Sequence, residues 1–454
     1  MNGLDINNTP FKHEVSAVME AGSAAPCYHY TLELHVGGQN ISVIGILGVT
    51  VDRDFLRDYY QVLSMEFQTT GYVREVLIEN MDRIEATVKR YEIGRNQPYS
   101  LANLRNPKIR RYKAKLYLAE SDFISQDNFA VNNADYMQKK ALVAVKIQLV
   151  EKGFEELKNR YVGGTYHNIS GAQLLRHLID YHANLNNDDV NTLINGVEMA
   201  PKANEEPRTV IDIEDGISLI EAMHVVNENS GGIYPAGFSY YIYNNTWYIF
   251  PPYSLTRFNE DQDKLIIVNL PKNRLPGIET TYNDRTKTII ILSTRDTIVK
   301  DKRESKRIEL GTGIRFADAS KLLGGFAEAV GNRLNVNASK NVNDLQIDER
   351  MDGTNYMRFG GVKFTSAKNL ELSRLAPSRG FMMRLSWENS NEELIKPGMP
   401  VKVLYLKRNK TQSAIGTVVG VKSSYYPYEN SYPATKFAVM SYIDVFVSDE
   451  INEG

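Results

Sequence analysis

The stretch Gly216–Pro252, GISLIEAMHVVNENSGGIYPAGFSYYIYNNTWYIFPP, decides the fold of this chain because it specifies a helix, a stop and a hairpin in succession. Asp215 is expected to cap the helix by accepting backbone N–H bonds, and the apolar residues that follow have helical spacing. The pair Gly231–Gly232 permits the left-handed backbone that ends a helix. The pair Asn244–Asn245 tolerates positive φ, as a two-residue type I′ turn requires. The stretch therefore predicts a helix beside a short antiparallel hairpin.

With this turn, the hairpin has two faces that are both apolar or amphipathic. One face carries Phe238, Tyr240, Ile242, Trp247 and Ile249, and the other carries Tyr241, Tyr243, Tyr248 and Phe250. Such a hairpin needs cover on both sides, from its own helix and from another domain or subunit. We therefore regard these aromatic residues as interface candidates: Tyr240, Tyr241, Trp247, Tyr248 and Phe250. The hairpin carries no reactive group, so we interpret it as a structural part.

Length, net charge and cysteine content restrict the number of domains and the classes of function that are expected. At 454 residues the chain exceeds one ordinary core, so two to four domains are expected. A net charge of -2 argues against general nucleic-acid binding. Cys27 is the single cysteine, which excludes an intrachain disulfide and fits assembly in a reducing cytoplasm. The sequence has neither a run of eighteen apolar residues nor a signal-peptide pattern, so we expect no membrane span and no classical secretion.

The alternation of apolar and polar residues predicts an α+β, β-rich fold with an α+β region inserted between antiparallel β-barrel or sandwich domains. Residues 1–25 are expected to form an arm that orders on contact. The predicted regions are a first β domain at 26–160, an α+β domain at 161–270, a second β domain at 271–395 with a long loop at 323–343, and closing strands at 396–454.

No pattern of residues identifies a catalytic, cofactor-binding or metal site. His177 and His182 are five positions apart on a predicted helix, which is the wrong spacing for a shared metal ion. Cys27 reads as a structural thiol, and the Gly311–Gly313 segment reads as a turn because it lacks the remaining glycines and lysine of a phosphate loop. Asp212, Glu214 and Asp215 are close together, but helix capping explains them better than a calcium loop.

Two basic runs remain. Each is either a solvated loop or a polar contact with another subunit or with a lumen, since long cationic side chains suit the rims of interfaces. We include Arg110 and Arg111 among the interface candidates. The runs consist of Arg105, Lys108, Arg110, Arg111, Lys113 and Lys115, and of Lys300, Lys302, Arg303, Lys306 and Arg307.

The middle and end of the chain resemble the baseplate hub proteins of contractile-tailed bacteriophages and the hubs of related contractile injection systems. The resemblance is carried by RYVGGTYHNISGAQLLRHLIDY (160–181), by the stretch 215–253, and by KPGMPVKVLYL (396–406) with IGTVVGVKSSYYP (415–427). The turn-and-helix motif of that family matches Gly164, Thr165, Tyr166, Asn168 and Ser170. Its second turn matches Gly232, Ile233 and Tyr234, and its aromatic hairpin end matches Tyr248–Pro252.

The resemblance implies a homotrimer in which each chain carries two tail-tube-like β domains. Three chains would then present six similar domains to a six-fold tail tube above and three-fold features to a central spike below. Other baseplate proteins would surround this hub, and DNA would pass through without sequence-specific binding. The implied location is the virion, after assembly in the host cytoplasm, with no membrane, cofactor or enzymatic activity.

Two other functions stay open from sequence. A receptor-binding or adhesin component at the tail periphery is the main alternative, since Tyr- and Asn-rich segments such as 424–433 suit glycan contacts. A glycan hydrolase is the other, but it requires two carboxylates on either side of a cleft, and no pattern selects such a pair.

Overall fold

The computed structural model describes residues 11–21, 25–100, 104–117, 142–185, 187, 190–271, 281–284, 286–293, 298–300, 314–317, 344–347, 366–407, 410–428, 435–448 and 452–453. Its α-helices are α1 (Lys12–Ala21), α2 (Gly71–Glu79), α3 (Lys152–Glu155), α4 (Gly171–His182), α5 (Leu219–Asn229) and α6 (Ser366–Leu375). Short 3₁₀ turns lie at Glu156–Asn159, Val190–Thr192, Arg257–Asn259, Ala376–Ser378 and Glu392–Leu394.

The strands before the aromatic hairpin are β1 (Cys27–Val36), β2 (Gln39–Ser42), β3 (Gly45–Asp54), β4 (Val62–Thr70), β5 (Ile84–Ile93), β6 (Lys108–Tyr117), β7 (Leu142–Glu151), β8 (Tyr161–Ile169), β9 (Gly196–Met199) and β10 (Arg208–Ser218). The hairpin is β11 (Ser239–Tyr243) and β12 (Thr246–Phe250). The later strands are β13 (Lys264–Asn269), β14 (Tyr282–Asn283), β15 (Thr288–Ser293), β16 (Ile298–Lys300), β17 (Ile314–Ala317), β18 (Asp344–Ile347), β19 (Gly380–Glu388), β20 (Pro400–Lys407), β21 (Lys410–Pro427), β22 (Phe437–Ser448) and β23 (Asn452–Glu453).

Eight strands pair in a closed circuit, which we call the ring. The order is β1, β5, β6, β7, β4, β3, β21 and β22, and every pairing is antiparallel. The circuit returns from β22 to β1 through a single residue pair, Phe437 with Tyr28. All eight strands contribute to one core, through residues such as Leu34, Val49, Met65, Val88, Tyr112, Ile147, Tyr425 and Phe437.

The same two long strands, β21 and β22, continue into a second lobe. Beyond β22 lie β19 and β16, and beyond β21 lie β20, β13, β15 and β14. The first half of β21 pairs with β20 and the second half with β3, with a shift in its register against β22 between Val418 and Gly420. The ring and the second lobe therefore form one large mixed sheet and not a clean barrel. The β-dominant α+β class agrees with the sequence prediction at this coarser level.

In the large sheet, β13 departs from the antiparallel pattern that the sequence predicted. β13 is parallel to both of its neighbours, β15 and β20. It lies at Lys264–Asn269, within the region 161–270 predicted as the α+β domain, but it pairs with strands of the second lobe. The other predicted domain boundaries stay predictions.

The insert between the lobes contains the β8–β10 ribbon, α4, α5 and a three-stranded sheet of β9, β12 and β11. Both long helices begin with a capping box, Ser170 with Gln173 and Ser218 with Glu221. The predicted cap of α5, Asp215, is wrong, because β10 continues to Ser218 and carries Asp215 within it.

Gly163 and Gly164 lie within β8, where Gly164 pairs opposite Ile213. Part of the predicted N-terminal arm forms α1, whose Val15 and Val18 are fully buried against Leu292 and Leu404 of the second lobe. The predicted loop 323–343, the segment Gly311–Gly313, most of the second basic run and part of the segment 424–433 lie outside the described residues.

Replacing Gly416 with Ala should destabilise the junction of the two lobes. A Cβ at Gly416 would lie 1.7 Å from the carbonyl oxygen of Phe446, so β21 and β22 would have to separate. We expect a loss of about 2 kcal/mol or more in the free energy of unfolding, measured by urea denaturation.

Gly48 in β3 is the matched control, because nothing lies within 4 Å of a Cβ placed there. Gly48→Ala should leave stability unchanged or raise it by up to about 1 kcal/mol. Equal losses in the two variants would contradict the junction described above.

Candidate functional site

The aromatic hairpin has the turn and register that its sequence predicts. Asn244 and Asn245 adopt φ of 46° and 61°, and Tyr243 pairs with Thr246 across the turn. Ile242 lies opposite Trp247, and Tyr241 lies opposite Tyr248, so the two predicted faces are correct. Every residue of β11 is buried, as are the last four of β12.

The cover for both faces comes from this chain. On one face the Tyr240 ring stacks on Trp247 at 6.1 Å, and the Tyr240 hydroxyl donates to the carbonyl oxygen of Ile220 in α5 at 2.8 Å. On the other, the Tyr241 ring meets Phe55, just after β3 of the ring, at 4.7 Å between centroids. The insert is therefore packed directly against the ring.

All five aromatic interface candidates lie in this packing. Their side chains are at most 9% exposed, with Tyr241 and Trp247 fully buried. The structure does not test a contact with another subunit, which stays a prediction for Tyr240, Tyr241, Trp247, Tyr248 and Phe250. In this structure the hairpin face that carries Tyr241 packs against Phe55 of the same chain.

A group of charged side chains, which we call the ionic joint, lies where the hairpin meets the ring. It consists of Arg53, Arg90, Lys108, Glu392 and Glu393. Nη2 of Arg53 donates to Oε2 of Glu392 at 3.2 Å and to its carbonyl oxygen at 2.9 Å. Glu393 binds Arg90, and Nζ of Lys108 donates to Oε1 of Glu393 at 3.2 Å.

Tyrosines extend the ionic joint to the shared strand and to the hairpin. The Tyr425 hydroxyl in β21 donates to Oε1 of Glu392 at 2.5 Å, and the Tyr243 hydroxyl in β11 donates to the carbonyl oxygen of Glu393 at 2.9 Å. The Arg53 guanidinium also lies 5.0 Å from the Tyr243 ring centroid. The turn Glu392–Leu394 thus fastens β3, β5, β6 and β21 to the hairpin.

The electrostatics of the joint favour the ionised form of Glu393. Burial by itself raises the pKa of Glu393, but the charges and hydrogen bonds of Arg90 and Lys108 outweigh it and lower the pKa to about 2. Burial lowers the pKa of Arg53, yet the neighbouring Glu392 and tyrosines raise it overall. Replacing such a pair with apolar residues can be neutral, whereas removing one partner costs about 3–5 kcal/mol. The ionic joint is therefore costly to break, although its net contribution to stability can be small.

The first basic run is not a loop, since Lys108–Lys115 lies on β6. Arg110 donates to the carbonyl oxygen of Asn191 and pairs with Glu151 at 3.4 Å, and its Nη2 donates to Oδ1 of Asn245 at 3.3 Å, so it also fastens the insert to the ring. Arg111, by contrast, is exposed. Its role as a subunit contact stays a prediction.

The described residues hold no group of three or more His, Cys, Asp or Glu side chains placed to bind a metal ion. His177 stacks on Tyr181 with ring centroids 6.2 Å apart. None of the described helices has the length and apolar character to cross a bilayer.

Sequence reasoning missed Arg53, Glu392 and Glu393. Glu392 is 4% exposed and Arg53 is 1% exposed, although charged residues are rarely buried so completely. The sequence contains no spacing that links them, because the two residues are 339 positions apart.

No family model and no curated protein matches this sequence. Among solved structures, the chain is similar to the tail protein from Neisseria meningitidis MC58, with 11% identity, a TM-score of 0.43, and coverage of 93% of this chain and 97% of that chain. It is also similar to the 43 kDa tail protein of prophage MuSo2 from Shewanella oneidensis, with 10% identity, a TM-score of 0.44, and coverage of 91% and 98%.

A third similar structure is an E. coli protein described as a component of the type VI secretion system with structural similarity to T4 bacteriophage tail proteins. Its identity to this chain is 10% and its TM-score 0.35, covering 92% of this chain and 77% of that one. The three similarities extend over 91–93% of this chain.

Replacing Glu393 with Gln should alter how stability depends on pH. Because the folded-state pKa of Glu393 is about 2 and its usual value is 4.5, the ionised group stabilises the fold above about pH 4.5 and loses this effect as pH falls toward 2. The difference in unfolding free energy between wild type and Glu393→Gln should be constant from pH 7 to 5 and close between pH 4.5 and 2.

Asp261→Asn provides the control, since Asp261 is a 90% exposed partner of Lys287 and surface pairs contribute little. This variant should follow the wild type at every pH. A Glu393→Gln difference that does not change with pH would show that the carboxylate charge is not what the joint uses.

Proposed function

We propose that this chain is a structural subunit of a phage tail or related injection machine, and specifically the baseplate hub. In this proposal three copies adapt a six-fold tail tube to a three-fold central spike and leave a channel for DNA. The residues matching the hub pattern, at 160–181, 215–253 and 396–427, motivate the proposal. The observation that carries it is the presence of two β lobes fused through β21 and β22.

The two lobes supply what symmetry matching needs. Three chains with two lobes each give six β units around one axis, and a head-to-tail contact between lobes closes into a ring when its rotation is one sixth of a turn. We propose that the ring and the second lobe are the two tail-tube-like domains. β14 and β16 end the large sheet among the described strands, and in this proposal neighbouring copies cover these edges.

The connection between lobes also suits a hub. A part that joins a tube to a spike must hold its domains in a fixed relation. Here continuous strands cross from one lobe to the other, the apolar hairpin is packed between α5 and Phe55, and the ionic joint fastens the insert to the ring.

The partners in this proposal are further copies of the chain, the tail tube protein above, the spike protein below and the surrounding baseplate proteins. The site of action is the virion after assembly in the host cytoplasm. DNA would pass without sequence-specific contact, in keeping with a net charge of -2.

We propose no enzymatic role. A glycan hydrolase needs two carboxylates that face a substrate across a cleft. The adjacent carboxylates Glu392 and Glu393 are instead held by Arg53, Arg90 and Lys108.

The proposal predicts a trimer of a 51.5 kDa chain. Light scattering on the purified protein should give about three times that mass, and electron microscopy should place the protein between tube and spike. A stable monomer that never joins a tail or tube would contradict the hub. Binding to whole cells or to glycans by this protein would favour the peripheral receptor-binding alternative.

Arg111→Glu tests one predicted subunit contact. Arg111 is exposed on the ring, so reversing its charge should weaken a trimer that uses this surface while leaving the fold intact. We expect at least a tenfold rise in the dissociation constant of the trimer. Arg176→Glu on α4, whose side chain is 67% exposed, is the control and should leave the trimer unchanged. If the two variants change the dissociation constant equally, Arg111 is not part of the trimer interface.

A further inference from the structure

A small cavity lies within the ionic joint. It measures about 70 Å³ and is bounded by β3, β5 and β6 of the ring, by the hairpin turn and by the turn Glu392–Leu394. Because one water occupies about 30 Å³ of liquid, the space suits a small ion with one or two waters and no larger organic ligand.

The charges that line this cavity do not balance. The cations are Arg53, Arg90, Lys108 and Arg110, and the carboxylates are Glu151, Glu392 and Glu393, which leaves one positive charge in excess.

Four cations share these three carboxylates. Arg53 pairs with Glu392 and Arg110 with Glu151, whereas Glu393 serves both Arg90 and Lys108. Lys108 and Glu393 are 43% and 37% exposed, and the other five side chains are at most 18% exposed. Because a desolvated cation needs a counter-charge, the shared carboxylate leaves the cavity favourable for an anion.

Arg53 provides an independent sign of a missing acceptor. Its Nη2 is satisfied by Glu392, but its Nε is buried and has no hydrogen-bond partner among the described residues. An N–H group left in this state costs about 1–3 kcal/mol. Arg53 is 1% exposed and lines the cavity, so an ion bound there is the kind of acceptor that this guanidinium lacks.

The remaining lining also suits an anion. Burial raises the pKa of Tyr112 well above its usual range, so its phenol stays neutral and can donate a hydrogen bond. Burial lowers the pKa of Lys108, and Glu393, which raises it, does not outweigh burial together with Arg90 and Arg110.

We propose that the ionic joint contains a binding site for one small monovalent inorganic anion of the halide class, such as chloride. One negative charge neutralises the excess, whereas a dianion would leave the cavity with the opposite imbalance. The bound ion would hold the insert, the ring and the turn Glu392–Leu394 together, and it would stabilise the folded chain by mass action.

The test uses the full chain and replaces sodium gluconate with sodium chloride or bromide at constant ionic strength. The midpoint of thermal unfolding of the wild type should rise with halide concentration. Above the dissociation constant it should increase in proportion to the logarithm of that concentration, as for a ligand that binds only the folded state. Crystals soaked in bromide should show an anomalous peak inside the cavity.

Two variants on the same strand separate a specific site from general salt effects. Lys108→Met removes the excess charge and leaves Glu393 paired with Arg90, so at least tenfold more halide should be needed for the same rise in midpoint. Lys115→Met is the matched control, because Lys115 is an exposed lysine of β6 that does not line this cavity, and it should behave as the wild type.

Several outcomes would overturn the proposal. These are the absence of a bromide peak in the cavity, an equal halide effect in all three proteins, or stabilisation by phosphate and not by halide. A peak without a rise in the midpoint at halide concentrations below those of the soak would mean binding at crystal concentration only, and would overturn it as well.

Discussion

The rest of the structure depends on the pairing of β21 with β22. These strands are 18 and 12 residues long, and each serves both lobes. The C-terminal half of β21 and the N-terminal end of β22 complete the ring by pairing with β3 and β1. The remaining parts of the two strands pair with β20 and β19 of the second lobe. Since buried backbone groups must find partners, neither lobe can separate from this pair without leaving several strands unpaired. The register shift between Val418 and Gly420 lies where β21 passes from one neighbour to the other.

Packing of the insert combines two kinds of contact with different roles. The aromatic hairpin provides buried apolar side chains, whose contribution to stability is not directional. The ionic joint is directional, because the hydrogen bonds between Arg53 and Glu392 depend on the relative positions of β3 and the turn Glu392–Leu394. A hairpin that slid on the ring would keep much of its apolar contact but would leave buried charges unpaired. The uncompensated charge beside this joint is the basis of the proposed anion site.

This combination is consistent with a protein whose purpose is to hold parts in place. Fused strands, a hairpin buried on both faces and a buried ion network all restrict movement between the lobes. The fused strands and the buried ion network were not visible in the sequence, since neither is formed by a local sequence motif. The proposed hub role and the proposed ion site therefore rest on geometry, and each has its own experiment that can fail without the other.

The sequence by itself determined the features that depend on a few neighbouring residues. The turn at Asn244–Asn245, the helix stop at Gly231–Gly232, the cap at Ser170 and the alternation along β1 follow from backbone preferences and side-chain periodicity. Tertiary structure decided the features that depend on distant partners. It placed Asp215 inside β10, made β13 parallel to its neighbours and joined Arg53 to Glu392 across 339 positions. Local periodicity shows which face of a strand is buried, but the identity of the neighbouring strand is set by long-range packing and the satisfaction of buried polar groups.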